Sequence, residues 1–304
     1  MKDKVNIAGF FITFTGAVLF STKAIIVKKA FADIHTDALT LLLLRMICSM
    51  PFYIASIFIS RQQSQHTKLT QKQWWQVILL GLFGYYISSF LDFEGLQYVS
   101  AGLERLILFL YPTFVVLINT FFFRQKISGR QKLALLLTYT GIGIAYFGEL
   151  HADLSNRNFF LGSVLIFICA ITYALYLVGS CKMIPKIGAS RFTTYSMLAA
   201  TAGVIIHFIF KNNWYLLQTG GSVLWGYSLL LAIVATVIPS FLLSAGMKRI
   251  GSNNVAIISS IGPVSTIIQA HFVLGEDMFA EQLIGTLLVI AGVILIGWKQ
   301  KEPI

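Results

Sequence analysis

The stretch GLQYVSAGLERLILFLYPTFVVLINTFFFRQKISGRQKLALLLTYTGIGIAYF, residues 95–147, has a second copy in the same chain. That copy is GMKRIGSNNVAIISSIGPVSTIIQAHFVLGEDMFAEQLIGTLLVIAGVILIGW, residues 246–298. The copies align without a gap at an offset of 151 residues (246 minus 95), which matches Pro112 with Pro263 and Gly141 with Gly292. Because this offset is about half of the 304 residues, the pattern indicates an internal duplication.

One difference between the copies bears on their orientation. The polar break of the first copy contains Arg124 and Lys126, whereas the equivalent break of the second contains Glu276 and Asp277. Short loops on the cytoplasmic side of a membrane are rich in Lys and Arg. A basic loop that has become acidic is therefore the change expected when one copy is inverted in a membrane.

The composition indicates an integral membrane protein. Hydrophobic residues make up 57% of the chain, charged residues only 12%, and the mean hydropathy is +0.78; a soluble domain has about 25% charged residues. Apolar runs of about 20 residues, the length that crosses a bilayer as a helix, recur along the chain. They predict ten transmembrane helices at residues 6–29, 38–60, 74–94, 100–122, 130–148, 158–180, 190–210, 224–245, 252–274 and 281–298.

The distribution of Lys and Arg predicts the orientation. With the N-terminus inside, the cytoplasmic segments contain 16 of these residues and the outer segments 4. Both termini are therefore expected in the cytoplasm of a bacterial-type plasma membrane. Five spans per half give two inverted five-helix repeats, residues 1–150 and 151–304, which is a recurrent plan of secondary transporters. The net charge of +11 is explained by topology and not by nucleic-acid binding.

Charged residues inside the predicted spans are the first candidates for a substrate site. Lys23, Arg45 and Arg105 lie within spans, and so does Glu104; Asp92 and Glu94 lie at the mouth of the third span. A charge in mid-bilayer costs at least about 2.5 kcal/mol, so these groups are expected to pair or to face a substrate. Either they form a structural salt-bridge network, or Lys23 and Arg45 bind an anion while Asp92, Glu94 or Glu104 binds an amine or a proton. All belong to the first half, which predicts an asymmetric site.

Tyrosines within spans are further candidates, since a phenol can pack and still hydrogen-bond a solute. Those selected as cavity-lining are Tyr85, Tyr111, Tyr173 and Tyr176. The matched prolines Pro112 and Pro263 are expected to interrupt the fourth and ninth helices at related depths, as broken helices do near transporter sites. No nucleophile–base motif, metal-binding pattern or nucleotide-binding loop is found, so we expect neither an enzyme nor a bound metal or cofactor.

At this point the chain resembles the EamA branch of the drug/metabolite transporter superfamily. The resemblance lies in the ten spans, the five-plus-five duplication, FSTKA at 20–24 with LLR at 43–45, and the G-x-x-Y-x-S-A start of the fourth span at 95–101. It implies a central cavity between two halves and export of amino acids or other small metabolites. The second copy departs from the pattern, with KRIG at 248–251 in place of the Tyr-Val-Ser element.

Together these observations predict an all-α membrane protein that exports a small amphipathic metabolite by alternating access, without ATP. The expected partners are a small-molecule substrate, protons and membrane lipids, with no nucleic acid; the oligomeric state is open. Two alternatives remain. One is a facilitative channel or uniporter, and the other is a non-transporting membrane protein that handles lipids or acts as a sensor.

Overall fold

The computed structural model describes residues 7–34, 36–61, 69–123, 129–152, 157–211, 214–259 and 261–297. Within these ranges the secondary structure is helical, with no strand. The α-helices are α1 (Ile7–Asp33), α2 (Ala38–Arg61), α3 (Gln71–Gly81), α4 (Ser88–Gly95), α5 (Ala101–Leu108), α6 (Tyr111–Phe123), α7 (Gly129–Ala152), α8 (Phe159–Ile187), α9 (Ala189–Lys211), α10 (Trp214–Thr219), α11 (Gly221–Ala232), α12 (Ile238–Ser259), α13 (Gly262–Gln269) and α14 (Ala280–Gly297).

Seven helical stretches in the described ranges are long and apolar enough to cross a membrane. They are Ile7–Asp33, Ala38–Ser56, Gln71–Gly95, Ala101–Ile118, Phe159–Ile184, Arg191–Lys211 and Gly221–Leu243. Large apolar side chains cover the outside as well as the core: Phe121, Phe210 and Phe272 are 78%, 84% and 80% exposed. Apolar side chains facing outward on this scale fit a lipid environment. The protein is therefore a multi-pass helical membrane protein.

Helices from the first half pack against helices from the second half in opposite directions. Asp33, at the end of α1, contacts Tyr227, and Gly16, earlier in α1, contacts Leu242. Residues 221–245 therefore run antiparallel to α1. Along α8, Gly162 lies against Gly95 and Gly179 against Leu80, which is again an antiparallel arrangement. The first span thus packs on the eighth, and the sixth packs on the third.

The packing of α7 against α14 has an internal symmetry. A methyl group at Gly141 would lie 2.6 Å from the carbonyl oxygen of Gly285, and one at Gly292 would lie 2.7 Å from that of Ala134. Subtracting 151 from 285 and 292 returns 134 and 141, so the second contact is the first with the two copies exchanged. Both glycines are required here because any side chain would overlap the backbone of the facing helix.

Two π-helical turns occur at matching positions of the duplication. One is Leu82–Ile87 between α3 and α4, and the other is Ile233–Val237 between α11 and α12. Their first residues are 151 apart (233 minus 82). Each turn adds a residue to an otherwise continuous helix and changes the direction in which the following side chains point. A third π-helical turn, Ala270–Leu274, follows α13 and faces no π-turn in the first copy, where the equivalent residues belong to α6.

The helix interruptions expected at the prolines are present. In the first copy, α5 ends at Leu108 and α6 starts at Tyr111, with Pro112 in its first turn. In the second copy, α12 ends at Ser259 and α13 starts at Gly262, again with proline in its first turn. Pro112 and Pro263 therefore begin new helical segments, the position where the missing N–H of proline is tolerated.

The boundary between the eighth and ninth predicted spans differs from the sequence prediction. A polar loop was expected at residues 246–251, but α12 is helical from Ile238 to Ser259. Between Leu242 and Gly262 the chain nevertheless changes its direction relative to α1. Leu242 contacts α1 at Gly16, whereas Gly262 and Thr266 contact it further along, at Ser21. No proline lies within 246–251, and the backbone can keep its helical hydrogen bonds through a polar stretch, because these bonds do not depend on side-chain polarity.

Candidate functional site

Lys23 and Asp92 form a buried ion pair between α1 and α4. The Lys23 Nζ lies 2.6 Å from the Asp92 Oδ2, and the two side chains are 10% and 1% exposed. The ammonium also lies 5.8 Å from the centre of the Phe20 ring. Lys23, which the sequence nominates as an anion-binding residue, thus has an acidic partner in this structure. The pair joins the first and third predicted spans.

Glu104 is fully buried on α5 beside this ion pair. Its carboxyl group lies within hydrogen-bonding range of the Asp92 carboxyl, and no N–H or hydroxyl donor in the described part of the chain reaches either of its oxygens. The nearest cationic atom is the Nε of its neighbour Arg105, at 3.9 Å. A carboxylate placed in this way lacks the hydrogen bonds that usually offset the cost of burying a charge.

Arg105 directs its hydrogen bonds away from Glu104. Its Nε donates to the Thr266 Oγ1 (3.2 Å) and its Nη2 to the Phe20 carbonyl oxygen (3.4 Å), and the guanidinium lies 5.6 Å from the centre of the Phe20 ring. The first of these bonds crosses from the first half of the chain to α13 in the second. Arg105 therefore links three helices, and the expected mutual neutralisation of Glu104 and Arg105 amounts to a contact at the limit of ion-pair distance.

Arg45 on α2 is the buried cation without an acidic partner. It is 4% exposed, and no carboxylate in the described ranges lies within ion-pair distance. Its Nη2 donates one long hydrogen bond, 3.4 Å, to the Ser89 Oγ, and the guanidinium lies 5.3 Å from the centre of the Phe93 ring. Its Nε and Nη1 have no hydrogen-bond partner among the described residues.

The four nominated tyrosines form one continuous row. The rings of Tyr85 and Tyr176 are 4.9 Å apart, those of Tyr176 and Tyr173 5.9 Å, and those of Tyr173 and Tyr111 5.2 Å. The Tyr176 hydroxyl donates to that of Tyr85 at 3.0 Å. We call these four residues the tyrosine row. Arg45 lies within electrostatic range of its Tyr85 end and Arg105 of its Tyr111 end.

The first π-helical turn gives the tyrosine row one of its members. Tyr85 lies inside this turn and contacts Tyr176, while the adjacent Tyr86 hydrogen-bonds the His207 Nδ1 at 2.9 Å. Consecutive residues of a regular α-helix point about 100° apart, and the additional residue of a π-turn changes this spacing. Such turns are frequent at functional sites.

Glu94 lies away from the other site residues. It is half-buried near the end of α4, accepts a hydrogen bond from the Gln97 Nε2 at 2.8 Å, and lies within electrostatic range of Lys211 and Asp37. Lys211 in turn lies 3.4 Å from Asp37. Among the predicted site residues, the structure brings Lys23 and Glu104 together and places Arg45 at one end of the four tyrosines. Glu94 lies apart from them, near the end of α4.

A polar network around the start of α5 was not identified from the sequence. Glu149 accepts hydrogen bonds from the Ser100 amide (3.0 Å), the Ser100 hydroxyl (2.6 Å) and the Gln282 amide (2.9 Å). Glu276 accepts from the Ala101 amide at 3.1 Å and lies 3.2 Å from the Lys28 Nζ. Carboxylates are stabilised at a helix N-terminus. We call these residues the α5 cap network. It joins both halves of the chain, and Ser100 as an N-cap residue was its only sequence signal.

The comparison with known proteins assigns the family. The EamA-like transporter family matches residues 7–147 and again residues 160–298. The chain belongs to this family. The chain is similar to the uncharacterized transporter YcbK of Bacillus subtilis, with 32% identity over 93% of this chain and 91% of that protein. The chain is also similar to a WAT1-related protein of Arabidopsis thaliana, with 24% identity over 79% of this chain and 68% of that protein.

A solved crystal structure has a similar fold. It superposes with a TM-score of 0.63 over 95% of this chain and 96% of its own length, at 18% sequence identity. At this identity the likeness concerns the fold alone. Family membership and the apolar helices together make the protein a membrane transporter, as the sequence resemblance implies.

Proposed function

We propose that the protein is a secondary transporter that exports a small amphipathic metabolite across a bacterial-type plasma membrane by alternating access. The observation that carries the proposal is the exchange symmetry between the two halves. The α7–α14 contact recurs with the copies exchanged, and the π-helical turns are 151 residues apart. Inverted repeats of this kind can exchange conformations and expose a central site to either side.

Contacts between the halves support a state that is closed on the outer side. With the cytoplasmic termini inferred from the loop charges, the start of α5 faces outward, and there the α5 cap network ties Lys28 to Glu276 and Ser100 to Glu149. Asp37 and Lys211 form a second link between the halves near the same surface. For a substrate to leave outward, these contacts would have to open.

The tyrosine row with Arg45 is our candidate for the substrate site. The rings supply an apolar surface with hydroxyl groups, and Arg45 supplies a buried cation with unused donors. Lys23 is engaged with Asp92, so it would contact an anion only after that ion pair opened. We therefore assign the anionic group of the substrate to Arg45 and give Lys23 an organising role.

Glu104 is the better of the two acids proposed to couple protons. It is fully buried and faces the Asp92 carboxyl without an N–H or hydroxyl donor among the described residues, whereas Glu94 is half-buried and accepts from Gln97. Two carboxyl groups buried side by side are a suitable place for a proton that moves with the transport cycle.

Reconstitution in proteoliposomes tests the proposal. Amino acids and small aromatic carboxylates, each radiolabelled, would be offered to vesicles with and without a pH gradient. We expect saturable flux for at least one solute, with counterflow when unlabelled solute is trapped inside. Flux without counterflow and without response to the gradient would instead identify a facilitative channel. The absence of saturable flux for every solute would refute transport.

A paired cysteine variant tests alternating access directly. In a background without native cysteines, Lys28→Cys with Glu276→Cys should be joined across the α5 cap network by a short bifunctional thiol reagent with a reducible linker, because the ends of the two long native side chains meet at 3.2 Å. Cross-linking should stop flux, and reduction should restore it. The matched control is Lys29→Cys with Asp33→Cys, which joins two positions within α1 and should leave flux unchanged.

A further inference from the structure

The distribution of charge around the tyrosine row points to a specific class of substrate. Five charged side chains are buried in the first half near the row: Lys23, Arg45, Asp92, Glu104 and Arg105. Lys23 pairs with Asp92 at 2.6 Å, and Arg105 lies 3.9 Å from Glu104 while it hydrogen-bonds Thr266 and the Phe20 carbonyl oxygen. Arg45 has no carboxylate within ion-pair distance among the described residues, so its positive charge is uncompensated there.

The other buried acid in the described ranges does not balance Arg45. Glu149 lies at the start of α5, where it accepts three hydrogen bonds and faces a helix N-terminus. The acidic group within electrostatic range of Arg45 is Asp92, and it is held by Lys23 at 2.6 Å. An unpaired buried charge is costly, so a ligand that supplies the missing negative charge gains more than it would at an exposed site.

We propose that Arg45 and the tyrosine row bind an organic monoanion whose body is flat and apolar, such as an aromatic carboxylate, in preference to a zwitterion. The proposal rests on the transport function above and specifies its substrate class. The unused Nε and Nη1 of Arg45 lie on different edges of the guanidinium, and each forms a two-donor edge with Nη2, whose own bond to Ser89 is long at 3.4 Å; either edge matches the two oxygens of a carboxylate. Tyr85 and Tyr176 pack on each other, and Tyr176 also packs on Tyr173 and Phe192. A flat body would take the place of one of these ring contacts when the helices separate.

The same geometry disfavours an amino acid. The ammonium group of a zwitterion lies only a few ångströms from its carboxylate and needs an acceptor close to Arg45. The guanidinium contacts Ser89 and Phe93, and the groups within its electrostatic range are Tyr53, Asp92 and Tyr85. Asp92 is the acid among them, and it is held by Lys23 at 2.6 Å. Because Asp92 is already paired, the ammonium would be buried without a counterion. The family resemblance alone suggests amino acids, and the structure favours a ligand with the carboxylate and without the ammonium.

Entry of the anion is linked to the transport cycle. Arg45 is almost fully buried, and Tyr53, which is also buried, lies beside it and is hydrogen-bonded to Ser240 of the second half at 3.2 Å. A ligand can reach the guanidinium only when these helices separate. Binding would therefore favour an opened arrangement of the two halves.

Ligand-induced thermal stabilisation of the purified full-length protein tests the assignment. The probes are benzoate, L-phenylalanine, benzylamine and benzyl alcohol, which share a ring and differ in charge. We expect benzoate to stabilise the wild type more than the other three, by mass action on the folded state. Arg45→Gln should weaken benzoate binding by roughly 10- to 100-fold, as expected for loss of a charge-assisted hydrogen-bonded pair. Arg45→Lys should restore part of the affinity.

Controls separate this inference from the proposed function. Lys29→Gln removes an exposed positive charge in place of the buried one, and this variant should bind benzoate like the wild type. Stabilisation by L-phenylalanine equal to or greater than that by benzoate, equal benzoate binding by Arg45→Gln, or no stabilisation by benzoate would each overturn the monoanion assignment. Saturable flux of another solute would leave the transport proposal standing in that case. Conversely, Arg45-dependent benzoate binding without any flux would refute transport and retain the site.

Discussion

Replacing Lys23 should lower the melting temperature of the protein, whereas replacing Arg45 should not, although both residues are buried cations. Lys23→Met leaves Asp92 as a 1%-exposed carboxylate whose only ion-pair partner, 2.6 Å away, is gone. Loss of one member of a buried pair costs about 3–5 kcal/mol. For a chain of 304 residues that corresponds to a fall in the melting temperature of roughly 5–8 °C.

Arg45→Met removes a charge that has no acidic partner. The lost contacts are one hydrogen bond at 3.4 Å and a ring contact with Phe93 at 5.3 Å, each worth about 1 kcal/mol or less. Relief from burying an unpaired guanidinium offsets that loss. We therefore expect the melting temperature to remain within a few degrees of the wild type or to rise.

Thermal unfolding of detergent-purified variants measures both effects. The double variant Lys23→Met with Asp92→Leu should recover most of the stability lost in Lys23→Met, because it removes the carboxylate that the single variant leaves without its counterion. Lys29→Met, at an exposed position, should change the free energy of unfolding by about 0.5 kcal/mol or less. If Arg45→Met destabilises the protein as much as Lys23→Met, or if the double variant is no better than the single one, then the assignment of paired and unpaired charges is wrong.

Three further predictions concern other parts of the molecule. Glu104→Gln should abolish the dependence of flux on a pH gradient while counterflow persists, and Glu94→Gln should keep that dependence; equal behaviour of the two variants would contradict the proton assignment. Gly141→Ala should destabilise the α7–α14 contact by about 1–3 kcal/mol, whereas Gly143→Ala, whose added methyl meets no atom within 4 Å, should be close to neutral in the same melting assay. Ser100→Ala should lower the free energy of unfolding by about 1–2 kcal/mol through loss of the α5 N-cap, and an unchanged melting temperature would show that the cap is dispensable.

Predictions from the sequence agree with the structure to different extents for the membrane spans and for the site. Hydropathy is a local property, so apolar runs of sufficient length located most of the membrane helices in advance. Boundaries were less well predicted: α12 stays helical through the polar stretch at residues 246–251, and α8 continues past the predicted end of the sixth span at residue 180 to Ile187. Local polarity indicates where a chain can leave the hydrocarbon, but it does not indicate whether the backbone stops being helical there.

The fold also brings together residues that the sequence had indicated as candidates for the site. All four tyrosines entered one row although they come from the third, fourth and sixth predicted spans, because residues inside apolar spans can meet only other helices or lipid. The α5 cap network was missed because Glu149 and Glu276 lie near the ends of predicted spans, where an acid usually faces water. Only the packed helices bring them to the start of α5.

The sequence by itself determined that the chain is a duplicated helical membrane protein of a transporter family, with its intramembrane charges confined to the first half. The tertiary structure decided which of those charges are paired. Lys23 meets Asp92 and Arg45 meets no acid because each helix has one rotation about its axis and one set of neighbours. That rotation is set by packing between distant helices, such as the glycine contacts of α7 and α14, and not by the residues adjacent in sequence.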